Sequence, residues 1–522
     1  MSIESPELAK VSADSEISPE QSRWGVLRHK HFRRVFFAAF VSNVGGWMEM
    51  LGIQMIVAHA TGSLTMLGYL GAAQMAPVLV FGLLGGLVAD RVNRKKLLVV
   101  TQFLLMLVAA AVAIVSTLPL TDTVRVNWLL LLAALNGTVM AFNVPAWQVL
   151  TPRLVPRAEL TRAITANGVQ FNLSRVIGPA LAGVFLGWYG ATPLFVLNTF
   201  TFVAVLIAVS FTPDAPAAKP TGESWRTQMG TASRFTFGQR GPLAILCAMV
   251  LLSTLAAPLI RMLPLYVIDV YGVSGGPVAI ALAGPLTGSP AGAAPVAAVA
   301  AQHTVTGAPD QPDGRAVIPE VKAAASTNSE ADRATGLLVA LLGLGAVCGG
   351  LMLRRVPPWY PKHHFIPMAV AGCGLAITAF AFTTTLWAGS LVIFICGIFW
   401  IWGFNQSWAA MQNAVPDSMR GRVMAIANVA SFGGTAFGNV ASGWLGDALA
   451  GPLGKAMGTH LAVGVMSFIL LIAGVVMLAN RVPEIDGLPR RALPRHLRRG
   501  LLNALLAAEH RPAGAERARK SE

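Results

Sequence analysis

Three ionisable side chains stand where charge is most costly. Glu49, Arg175 and Arg261 each interrupt a long apolar run of this 522-residue chain, the glutamate within "VSNVGGWMEMLGIQMIV". A charge in a bilayer interior costs at least about 2.5 kcal/mol on insertion scales, so each must face other protein segments and find a partner. Two chemistries fit. A carboxyl exposed to one side and then the other can carry a proton, whereas a carboxyl bound to Arg175 or Arg261 is a static ion pair that fixes helix packing. Glu49 shares a helix face with Gly45 and Gly52, which points to a close-packed seam rather than to lipid.

A second group is amide and aromatic. Asn136, Met140, Asn143 and Trp147 recur at helical spacing, and Gln170 and Ser174 lie near one face of the next apolar run. Trp400, Phe404 and Trp408 form a further stripe, with Asn405 and Gln406 beside it. Facing inward, these residues suit a bulky, partly aromatic, amphipathic small molecule whose polar groups the amides would place. The alternative is structural: tryptophans anchor span ends at the interface, and amides join helices.

Such residues need elements to hold them, and the composition says which. The chain is 54% hydrophobic and 12% charged, with a mean hydropathy of +0.61; a soluble domain carries about 25% charged residues. Apolar runs of about 20 residues are transmembrane helices. Twelve are expected, near 35–57, 65–88, 97–117, 127–149, 163–186, 192–212, 241–268, 335–353, 365–384, 386–411, 422–446 and 459–480. The chain is therefore an all-α integral membrane protein, with the lipid bilayer as its first partner. The first, seventh and eleventh runs are the least lipid-like. No cleavable secretory signal is visible at the amino end.

Charge orients the chain. With the amino terminus in the cytoplasm, the great majority of the 39 Lys and Arg residues fall in inner segments. The short outer loops hold only Arg125 and Lys455, as positive-inside topology requires. Both termini are expected in the cytoplasm, in the plasma (inner) membrane of a bacterium. The net charge of +15 then belongs to a membrane face rather than to nucleic acid binding.

The runs group as a 1–34 tail, six helices over 35–212, a connector at 213–240, six helices over 241–480 and a basic tail at 481–522. "LVPRAELTRAITA" at 154–166 aligns with "AVPDSMRGRVMAI" at 414–426, and the same offset pairs Gly178 with Gly438 and Gly183 with Gly443. Two related six-helix halves with a site between them are a transporter architecture. Residues 272–334, rich in Ala, Gly and Pro, break the symmetry and read as a disordered outer insertion or, alternatively, a partner-binding arm. "LRRGLLNALLAAEH" in the last tail reads as a surface helix or a solvated tail.

One charged loop carries a motif. "GGLVADRVNRKKLL" at 85–98 joins the second and third runs, and its pattern Gly86-x-x-x-Asp90-Arg91-x-Asn93-Arg94-Lys95 resembles the signature loop of the major facilitator superfamily. That resemblance implies a gate latch, with the aspartate near the amino end of a helix in the other half. Asn93 stands where the pattern has glycine and is the best substitute if a left-handed backbone is needed. The equivalent loop of the second half, "LRRVPPWYPKHH", lacks the aspartate, and its His363 and His364 read as loop cations rather than metal ligands.

Ser174-x-x-x-Gly178-Pro179-x-x-Ala182-Gly183 resembles the fifth-helix motif of proton-coupled antiporters; its other reading is a packing seam of small residues. "AFNVPAWQVL", "NLSRVIGPALAGVFL" and "NAVPDSMRGRVMAI" resemble the transmembrane secretion effector branch, which is similar to enterobactin exporters. The resemblance implies a twelve-helix transporter, a monomer, exporting a small amphipathic molecule, drug- or siderophore-like, against protons. Import on the same fold, or a non-transporting sensor or scaffold, are the alternatives. No catalytic constellation, phosphate-binding loop or metal-ligand spacing is present, so neither an enzyme nor a cofactor is expected.

Overall fold

The computed structural model describes residues 25–150, 153–213, 225–272, 319–356, 360–416, 419–480 and 482–486. Among these residues the secondary structure is helical, without strands. Hydrocarbon offers no partner for a free backbone N–H or C=O, and a helix satisfies both locally.

Twelve helices are long and apolar enough to cross a membrane. The first six are Lys30–Thr61, Leu64–Ala89, Arg94–Thr117, Asp122–Gln148, Arg162–Tyr189 and Ala191–Ser210. The second six are Arg240–Asp269, Glu330–Met352, Lys362–Ala381, Leu386–Ala414, Arg420–Leu453 and Lys455–Ala479. They are called spans one to twelve below. An amphipathic helix, Trp225–Gly238, links the halves. The linker helix, the start of span one and the end of span twelve lie at one end of the bundle, the tail end; the tight turns at Gly62, Gly190 and Gly454 lie at the far end. Gly62 closes span one with φ 55°, a left-handed cap that lets Ser63 start span two at once.

Two features differ from expectation. Span seven is broken: Arg240–Leu251 runs into a π-turn at Leu252–Ala256 before Leu259–Asp269 resumes. The helix of span eight begins at Pro319, inside the stretch read as an outer loop. That stretch reads as a loop because it is rich in Ala, Gly and Pro and lacks helical periodicity, but its last residues are helical and Asp332 is only 7% exposed. Most of the 272–334 insertion, and the whole of "LRRGLLNALLAAEH", fall outside the described residues.

Helix pairing repeats between the halves. Span two packs on four as eight packs on ten, and span three on four and six as nine on ten and twelve. The halves themselves meet along two seams, span two against eleven and span five against eight. One apolar core runs through both halves, while a separate cluster around Phe32, Leu98, Leu150 and Val209 fills the tail end of the first half alone. Trp188, Trp387 and Trp444, at the far ends of spans five, ten and eleven, are exposed, as interfacial aromatic residues are.

Candidate functional site

The far end is sealed across the halves. Asp447, near the far end of span eleven, accepts hydrogen bonds from Ser63 Oγ at 2.5 Å and from the Leu64 and Thr65 N–H groups at 3.0 Å. Those groups open span two, whose first N–H donors have no partner within the helix and whose dipole favours an anion. Close approach is possible because Gly443 lies against the Leu64 backbone and Gly446 against its side chain. In the other seam, a methyl group added to Gly183 would sit 3.1 Å from the Asp332 carbonyl, and one on Gly336 would sit 2.7 Å from that of Pro179. His59 of span one faces Asp332 of span eight at 3.6 Å. At the tail end no extended contact joins span four or span one to span ten among the described residues.

The three intramembrane charges are all buried, each 7% exposed. They do not pair with one another. Glu49 accepts a hydrogen bond from the Asn198 amide of span six, in a seam where Gly45 lies against Asn198 and Thr201, and Gly52 against Phe195. The expected ion pair with Arg175 or Arg261 is therefore replaced by a neutral partner within one half. Arg261 of span seven donates to the Gln74 side chain of span two, across the halves. Arg175 lies over the rings of Trp47 and Trp400, 5.5 and 5.6 Å from their centroids.

Among the amides, two join helices or turns rather than presenting free groups. Asn143 donates to Thr101 Oγ1 of span three at 2.9 Å, and Gln170 reaches Ser174 Oγ one turn along at 3.4 Å. Asn136 is half-buried and Asn405 exposed, and neither side chain makes a hydrogen bond among the described residues. Trp147 packs on the tail-end cluster of the first half. Trp400 stacks on Phe404 at 6.4 Å, Phe404 meets Trp408 at 6.0 Å, and the Trp408 Nε1 is buried without a partner.

The antiporter-like motif sits at helix contacts. Ser174 Oγ donates to the Gln170 carbonyl at 2.9 Å, Gly178 abuts Trp47 and Val44 of span one, and Pro179 and Gly183 line the seam with span eight. In the charged loop, Asn93 has φ −63° and caps span three, its Oδ1 accepting from the Lys95 and Lys96 N–H groups at 3.0 and 3.2 Å. A left-handed backbone is not what that position needs here; a cap is. Arg94 is buried and donates from Nε to the Ala89 carbonyl at 3.1 Å, while Arg91 is exposed. Gly86 has open space around its Cα; it is Gly85 that abuts Ala141. The Asp90 side chain lies outside the described residues. In the second half, Asp486 binds the Lys362 N–H at 2.8 Å and the His363 ring.

Sequence reasoning passed over Asp447 and Asp332, one as an end-of-span residue and the other as part of a loop. Their signal was spacing: Gly443, Gly446 and Asp447 share a helix face, but only the partner helix gives that face a role.

A family model described as transmembrane secretion effector matches residues 21–303 and 316–512. The chain is 27% identical over 175 residues to the staphyloferrin A transporter of Staphylococcus aureus (strain NCTC 8325 / PS 47), a match spanning 33% of this chain and 44% of that one. It is 23% identical to the multidrug efflux pump Tap of Mycolicibacterium fortuitum, over 87% of this chain and 96% of that one. With the enterobactin exporter EntS of Salmonella choleraesuis (strain SC-B67) it shares 24% identity over 86% of this chain and 92% of the other. Its fold is similar to that of a bacterial homolog of the human lysosomal transporter Spinster, with TM-score 0.64, 14% identity and coverage of 89% and 99%.

Proposed function

We propose that this chain, which belongs to the transmembrane secretion effector family of major facilitator transporters, exports a small amphipathic molecule against an inward flow of protons. The observation that carries the reading is the asymmetry between the two ends of the bundle. The halves are joined at the far end by Asp447 on span two and by the span five and eight seam, and the tail end of the first half keeps its own apolar cluster. A central path closed at one end is one of the two states that alternating access requires. The tail end is cytoplasmic in this reading, and the substrate enters there. Relatives named as exporters or efflux pumps support the direction.

Glu49 is the proton-coupling group of the proposal. Its partner Asn198 is a neutral amide, so it can gain or lose a proton without breaking an ion pair. Asp90 and its loop are assigned the tail-end latch, engaged when the path reopens at the far end. The transporter works as a monomer, because both halves of the path lie in one chain.

The test begins with a comparison of metabolites released by cells with and without the gene. The compound identified should accumulate in everted vesicles whose lumen is acidic, and collapse of the pH gradient should stop the accumulation. Accumulation that ignores the gradient would remove proton coupling, and movement only in the opposite sense would remove export.

A further inference from the structure

Arg175 is a cation whose demands the protein leaves unmet. Its side chain is 7% exposed, yet it makes no hydrogen bond and no ion pair among the described residues, and its Nε is buried without a partner. A guanidinium carries a fixed charge and five donors. The buried acids are turned elsewhere: Glu49 holds Asn198, and Asp332 faces His59 at the far end. What Arg175 does have is two indole faces, Trp47 and Trp400. Cation–π contact offsets part of the cost of burying the charge, but it engages no N–H donor with an acceptor.

Its surroundings come from both halves. Trp47 belongs to the first half and Trp400 to the second, so anything held at Arg175 touches both halves. From Trp400 a partly buried aromatic ladder descends span ten through Phe404 to Trp408, toward the tail end, where span ten makes no extended contact with span one or span four among the described residues. At its foot the Trp408 Nε1 is a second buried donor without a partner. A planar fork of donors matches a carboxylate in two parallel bonds, and the ladder matches a flat apolar body.

We propose that Arg175, Trp47 and Trp400 form the head of a substrate site for an aromatic anion: the acid group binds the guanidinium, and the ring system lies on the ladder. This rests on the exporter reading and narrows it, because cationic amphipathic compounds are excluded by the unpaired arginine. Holding the anion from both halves also links occupancy to the approach of span ten to span one, which alternation needs.

The experiment is equilibrium binding to the full-length protein in nanodiscs, with radiolabelled 1-naphthoate, 1-naphthylmethanol and 1-naphthylmethylammonium as three probes sharing one ring. Wild type should bind the naphthoate about tenfold or more tightly than the ammonium compound. Arg175→Gln should abolish that preference, Arg175→Lys should keep part of it, and Trp400→Leu should weaken all three probes. Thermal transitions of the variants establish that each is folded. Equal binding of the three probes, no naphthoate binding by wild type, or an unchanged naphthoate affinity in folded Arg175→Gln would overturn the site. Binding needs no gradient, so the two readings fail separately. A charge-selective site in a protein that moves nothing under a pH gradient sinks the exporter and keeps the site. Gradient-driven export of a cation undiminished by Arg175→Gln sinks the site and keeps the exporter.

Discussion

At the scale of single residues, partners matter more than positions. Of the two chemistries open to Glu49, proton carrier or static ion pair, the Asn198 amide as its partner removes the ion pair and leaves the first as the proposal. Glu49→Gln keeps shape and can still accept from Asn198, so substrate binding should survive while gradient-driven export collapses; full export by the variant would return Glu49 to a purely structural role. Glu159 is a different case, outside the spans at the tail end. Burial acts to push its carboxyl up, but the hydrogen bond from the His29 ring and the charges of Arg28 and His29 outweigh it and hold the group below its ordinary value. The unfolded chain therefore binds this proton first. The stabilisation is fully present above the ordinary carboxylate value and is lost as pH falls through the lowered one. The gain is about 1 kcal/mol or less for so accessible a pair. The melting temperature of wild type should exceed that of Glu159→Gln at neutral pH, with the gap closing below about pH 4; a gap that persists in stronger acid would assign it to packing instead.

At the scale of elements, the span two and eleven pair joins the halves at the far end. Asp447 presents a full charge to the first turn of span two, an interaction of about 1–2 kcal/mol where it is partly buried. Asp447→Asn keeps an acceptor and removes the charge. The far end should then open more often, by roughly five- to thirtyfold in population ratio. A cysteine at Ala331, buried in the seal, reads this out through its labelling rate with an impermeant maleimide, and an unchanged rate would reduce Asp447 to an ordinary cap. Twelve helices in the expected order could be read from apolar runs alone, since each run needs only its own residues to satisfy its backbone. The start of span eight at Pro319 could not, because the Ala-, Gly- and Pro-rich stretch that contains it carries no apolar period to mark a helix.

At the scale of the whole molecule, orientation and the insertion are open to direct tests. In intact cells, single cysteines at 96, 230 and 510 should resist an impermeant reagent, and one at 300 should react. Reaction at 96 would invert the topology and take the direction of transport with it. Deleting 276–316 should leave transport largely intact, since lengthening or shortening a loop costs little. Extending the deletion to 332 removes Asp332 and the backbone that Gly183 packs against, and should abolish closure of the far end. Equal transport by the two deletions would show that the span five and eight seam does not need that turn.

Much of this protein is local information. Hydrophobic run length sets the number of helices, charge between runs suggests their direction, and the loop at 85–98 carries its motif in ten consecutive residues. The packing face of Glu49 was also legible, because Gly45 and Gly52 lie one helical turn to either side of it. Which group each charge meets was not. Asn198 is 149 residues from Glu49, and Ser63 is 384 residues from Asp447. Arg175 finds Trp47 and Trp400 from opposite halves. Such contacts depend on how each helix is rotated about its axis and how closely glycines let it approach its neighbour. Those two quantities are properties of the packed bundle, and they decided that the cation stands between indoles rather than against the acid.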